Sequence, residues 1–224
     1  MNFLKICQRL AVETGVNIPM STVLGQTGEL ARIVNWVGDA WTEIQGDKLW
    51  NWMWEQPTLS LPASASSIAT TISEHRWLKH GTYLPLVSSD SGDRFLDYLP
   101  WVEFCQVYPR ITQQAGLTAW SIAPDNSMRF NAIVTPAAAT DVVVQRYALP
   151  TTLTGDADTP GMPTDLHMLI VYEAMVRYAD FDEAGSQRTS TVAKLNRMQQ
   201  NLNDRCLPEF TLGAGLVSNA YYNL

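Results

Sequence analysis

The chain has 224 residues, 46% of them hydrophobic and 17% charged, with a net charge of −7. That is enough for one sizeable domain or two small ones, and charge sparser than the ~25% of an ordinary globular chain fits a surface partly hidden against neighbours. Residues 1–150 carry 10 basic and 13 acidic side chains and residues 151–224 carry 5 and 9; with no block of Lys or Arg, a grip on nucleic acid through phosphate neutralisation is not expected.

Residues 2–14 predict a short amphipathic helix: Phe3, Ile6, Cys7 and Leu10 recur at helical spacing, and Gly15 can close it. A loop follows at Asn17–Thr22. A second helix is predicted from Gly28 to Gln45, where Leu30, Ile33, Val34, Val37, Trp41 and Ile44 form one stripe and Glu29 suits the first turn. Trp50, Trp52 and Trp54 alternate, which puts their rings on one face of an extended strand. Such a row could be a stacking platform for bases or sugars. With no interleaved basic residues, a core strand against Trp36 and Trp41 is the reading adopted.

Residues 57–68, rich in Pro, Ser and Ala, read as loop. Strands are predicted around Ala69–Ile72 and Tyr83–Val87, and a short helix over Pro100–Tyr108 with Pro in its first position. Leu117–Ala123 and Met128–Val134 form a hairpin about the turn Pro124-Asp125-Asn126-Ser127, and Asp141–Ala148 is a further strand. Pro150–Pro163 reads as a loop. Thr164 is a good N-cap for a buried helix running to Phe181, in which Glu173 and Arg177 can pair. The last helix runs to Leu207, with Val192, Leu195, Leu202 and Cys206 as its apolar stripe and Gln199, Gln200, Asn201 and Asn203 opposite. Pro208 ends it. The stretch after Glu209 is uncharged, apolar and without a clear period.

The sequence offers no legible reaction centre. Gly25–Gly28 lacks the Lys of a phosphate-binding loop, and neither Gly-x-Ser-x-Gly nor His-Glu-x-x-His occurs. Cys7, Cys105 and Cys206 are far apart, odd in number and set among apolar residues, so buried thiols are expected rather than disulfides or zinc ligands. His75, His80 and His167 are expected at the surface or at helix caps. Asp90 with Asp93, and Asp156 with Asp158, read as solvated turn residues with too few oxygens for a calcium loop. No cofactor or metal is expected, nor a signal peptide or membrane span. The chain is expected to fold in a reducing cytoplasm.

The elements together carry a resemblance. They are the helix Phe3–Leu10, the helix Gly25–Trp41, the Trp50–Trp54 segment, Trp120–Phe130, Asp156–Pro163, and the helix pair ending Cys206-Leu207-Pro208-Glu209. In order and spacing the chain resembles the head-to-tail adaptor proteins of tailed bacteriophages over nearly its whole length. The resemblance implies a structural, non-enzymatic virion protein made in the bacterial host cytoplasm. It implies a ring, usually dodecameric, that joins the portal protein to the tail protein at the head–tail junction around a channel for DNA. The acid excess suits a wall that must not hold DNA. The fold expected is α+β: a helical core from 1–48 and 164–207, an inserted antiparallel β-rich region at 49–163, and an extended arm at 208–224. The arm cannot easily build a core of its own, so Phe210, Leu212, Leu216, Tyr221 and Tyr222 are the expected contacts to the portal or a neighbouring subunit. The competing readings are another tail-completion subunit, a hydrolase assembled from distant residues, and a carbohydrate-binding module built on the tryptophans.

Overall fold

Asn2 and Gly15 bracket the first helix as their chemistry requires. The computed structural model of the chain describes residues 1–16, 19–85, 92–113, 116–133, 139–182 and 185–208. Its helix α1 spans Phe3–Thr14. The Asn2 side-chain oxygen accepts from the Lys5 N–H at 3.1 Å, satisfying one orphan donor of the first turn. Gly15 sits at φ +77°, and the Val16 N–H reaches the Ala11 carbonyl at 2.9 Å, a left-handed closure that a Cβ would strain. The remaining helices are α2 (Gly28–Asp47), α3 (Trp101–Val107), α4 (Met168–Phe181) and α5 (Gly185–Cys206). With the strands below they make an α+β chain. Its described residues divide into two compact units, Met1–Met53 with 150–208, and Trp54–Leu149.

In the first unit α4 packs against α1, α2 and α5, and α1 also packs on α2. The buried faces are Phe3, Ile6, Cys7 and Leu10 of α1, then Leu30, Ile33, Val37, Trp41 and Ile44 of α2, with Leu169, Ile170, Val171, Ala174 and Met175 of α4. Each large apolar side chain removed from water contributes ~1.5–3 kcal/mol. α5 buries a narrower stripe of Thr191, Leu195, Leu202 and Cys206. Thr191 takes the place expected for Val192, which is half-buried. Thr164 does not cap α4. It lies inside a 3₁₀ turn, Thr164–Leu166, whose bonds run three residues back, and α4 starts at Met168. Arg177 reaches across to Glu43 of α2 instead of pairing along its own helix with Glu173.

The tryptophan segment departs from the strand reading. Asn51–Met53 is a 3₁₀ turn, closed by the Met53 N–H on the Trp50 carbonyl at 2.9 Å, and a turn destroys the two-residue alternation. Trp50 is buried and its indole N–H donates to the Ile44 carbonyl at 2.6 Å. That bond satisfies one of the orphan carbonyls at the end of α2. Trp52 stacks on Trp50 with centroids 5.0 Å apart and planes 8° from parallel. Trp54 opens the strand Trp54–Glu55 and is 44% exposed. Trp50 and Trp52 therefore stack ring on ring instead of lining one face of a strand.

The second unit holds the sheets. Thr58–Leu61, Thr140–Val143, Tyr83–Leu84 and Arg94–Phe95 pair antiparallel in that order. Ser67–Ile68, Met128–Phe130 and Ala119–Ile122 are likewise antiparallel, but Asp97–Tyr98 joins Ala119–Ile122 in parallel. α3 lies on that crossover, which parallel pairing requires. Thr112–Gln113 and Ala132–Ile133 form a second parallel pair, and Trp54–Glu55 with Arg146–Tyr147 an antiparallel one. The first predicted strand therefore lies at Ser67–Ile68 rather than Ala69–Ile72. The core gathers Trp77, Leu96, Trp120, Met128, Phe130, Val142 and their neighbours. The hairpin turn is as its residues require: the Asp125 carboxylate accepts from the Ser127 N–H at 2.9 Å and its hydroxyl at 2.6 Å, and Asn126 takes φ +62°.

Leu86, Val87, Asp90, Val134, Glu183 and the expected arm from Glu209 onward lie outside the described residues.

Candidate assembly surfaces

In the first unit the segment 150–163 ties chain ends together. Asp156 accepts from the Val23 N–H at 2.6 Å and the Thr22 hydroxyl at 3.1 Å. The Phe3 N–H donates to the Asp158 carbonyl at 2.7 Å, so this loop also satisfies the start of α1. Asp156 is thus a long-range fastener and not a solvated turn residue. Asp158 does act within its own turn, on the Thr154 and Gly155 N–H groups at 2.7 and 2.8 Å, which lower its pKa. The buried amide of Gln45 pairs twice with the backbone of Thr151, at 2.9 Å each way.

His167 is no surface residue. It stands at the N-cap position of α4 but is fully buried. Its Nε2 lies 3.1 Å from the Met162 carbonyl and its Nδ1 2.6 Å from the Met1 amino group. Burial, and then the positive Met1 amino group, lower its pKa. His75 and His80 are exposed in the second unit. Cys7 and Cys206 are buried, and burial raises both thiols, Cys7 to about 12. Cys105 is exposed, against expectation, because α3 is a single short helix anchored by Phe104 alone, which stacks on Trp101. Among the described residues no group of three or more His, Cys, Asp or Glu could hold a metal ion, and no helix is long and apolar enough to cross a membrane.

What the geometry offers is outward helix faces. α2 turns Arg32, Asn35, Asp39 and Glu43 to solvent, opposite its buried stripe. The exposed positions of α5 include Ala193, Lys194, Asn196, Arg197, Gln200 and Asn201. In the second unit α3 exposes Val102, Cys105 and Val107. The arm residues Phe210, Leu212, Leu216, Tyr221 and Tyr222 lie outside the described residues. The α2 face went unremarked in the sequence, although Asp39, Glu43 and Asp47 recur every four residues and so fall along one side of the helix.

These faces are the candidate contact surfaces of the described residues. A cleft of about 470 Å³ at the end of α5 is lined by Asn51, Trp52, Gly161 and Arg205. No curated protein matches the chain. The profile of one family does match, that of the SU10 adaptor protein, over residues 1–212. Because the match takes in both units, this chain belongs to the SU10 adaptor protein family of bacteriophage adaptors.

Proposed function

We propose that the chain is the subunit of a homo-oligomeric ring at the head–tail junction of a virion, seated between the portal protein and the tail around the DNA channel. The family match over residues 1–212 carries this reading. Two features support it. The net charge of −7 with no cationic block suits a wall past which DNA slides without being held. The outward faces of α2 and α5 are polar surfaces of the kind that repeated subunit contacts use.

In this reading 1–48 and 164–207 form the ring's helical core, 49–163 is the inserted β-rich region, and 208–224 is an arm. Phe210, Leu212, Leu216, Tyr221 and Tyr222 then dock on the portal or the next subunit. The experiment is electron microscopy of the full chain mixed with the portal protein of the same phage. A closed ring coaxial with the portal is the expected result; a chain that leaves the portal bare, or stacks along the tail tube, overturns the proposal. Deleting residues 210–224 is expected to abolish portal binding, and undiminished binding would rule out the arm.

A further inference from the structure

α2 and α5 have opposite charge. α2 carries the acids Glu29, Asp39, Glu43 and Asp47 against the single base Arg32; α5 carries the bases Arg188, Lys194, Arg197 and Arg205 against the single acid Asp204. The nets are −3 and +3, within a chain of −7. Both helices pack on α4. Among the described residues no ion pair joins α2 to α5; the link between them is Lys48, just past α2, which donates to Asn203 of α5 at 2.8 Å.

Part of the charge is used internally. Glu43 pairs with Arg177, Arg188 with Asp180 and Arg205 with Asp165. Lys194 lies over the Tyr172 ring. Asp39 and Arg197 are exposed and have no ionic partner among the described residues. Asp39 lies near the middle of the outermost line of α2.

Two more observations point the same way. Gly38 and Gly46 lie inside α2, and a Cβ at either would meet nothing within 4 Å. A helix-interior glycine costs roughly 1 kcal/mol against alanine. Nothing among the described residues explains that cost, whereas close approach by another backbone would. The outermost line of α5 (Thr189, Ala193, Asn196, Gln200) is uncharged although exposed, and an uncharged polar line is cheaper to desolvate than the Lys and Glu usual there.

We propose that the outward face of α2 in one copy receives the outward face of α5 in the next, with Asp39 opposite Arg197. The contact is heterologous, joining two different surfaces of identical chains, the kind of contact whose repetition closes a ring when the rotation per subunit divides a full turn. This rests on the ring reading above and specifies the subunit contact within it. DNA is the lesser candidate for α5, because three of its four cations already have partners in the chain and phosphate binding strengthens with each free cation.

The test is charge exchange in the full chain, read as the concentration giving half-maximal ring assembly on the portal. D39R and R197D alone are each expected to raise it at least about tenfold, and D39R/R197D together to recover most of the loss. Circular dichroism checks that each variant folds. A second variant, D39C/R197C on a C105S background, is expected to give a ladder of cross-linked species beyond dimer on oxidation. Folded single variants that assemble like wild type, or a wild-type ring without the ladder, overturn the contact and leave the ring standing. Wild-type chain that never forms a ring with portal overturns both. If R197D loses an interaction with DNA while assembling normally, α5 faces DNA and the proposal is wrong.

Discussion

His167 and Glu173 show how burial sets the behaviour of single side chains. His167 is sealed between Met162 and Met1, and its pKa is lowered chiefly by desolvation. Below its unfolded value of 6.5 the unfolded chain takes up a proton that the folded chain resists, so stability falls as the pH drops from there toward the lowered folded pKa. Urea midpoints measured from about pH 7.5 down to about 5.5 are expected to decline, and His167→Gln to flatten the decline. An equal slope in the variant would assign the effect elsewhere. Glu173 has the opposite sign. Burial, then the charge of Glu43, raise its carboxyl against the pull of Arg177. Its ionised form therefore weakens the fold above pH 4.5, and Arg177, paired with Glu43, offsets this only in part.

Among the elements, α1 and α2 use glycine in different ways. Gly15 closes α1 at φ +77° with hydrogen bonds to the last turn. Gly46 lies inside α2, where the backbone is helical and space is open. Gly15→Ala is expected to cost about 1 kcal/mol through left-handed strain, while Gly46→Ala is expected to add up to about 1 kcal/mol in helix propensity. Thermal midpoints of the two variants should move in opposite directions; a loss in Gly46→Ala would mean the glycine serves the fold of the subunit itself. Trp50 completes the end of α2 from outside the helix by giving its indole N–H to Ile44. The last turn of α2 therefore depends on a ring that stacks on Trp52, and the tryptophan segment is better described as a helix stop than as a strand.

For the whole molecule, net charge dominates contact with DNA. At −7 with its cations scattered, the chain should leave the gel mobility of duplex DNA unchanged even at low salt, where counterion release favours binding most. A retarded band that disappears as salt rises would contradict this. The family and the α+β class were legible from the sequence, as were α1, α2, α3 and the Asp125–Ser127 turn, because those signals are local: apolar spacing, caps and an Asx turn act over a few residues. The partners across long separations were not legible. Asp156 reaches Val23, Gln45 reaches Thr151, His167 is sealed by Met1, and α3 carries a crossover to a parallel strand. Each joins groups tens to more than a hundred residues apart in sequence. No periodicity encodes such a pairing; it follows from which apolar faces bury one another, and that choice is made only when the chain closes on itself in three dimensions.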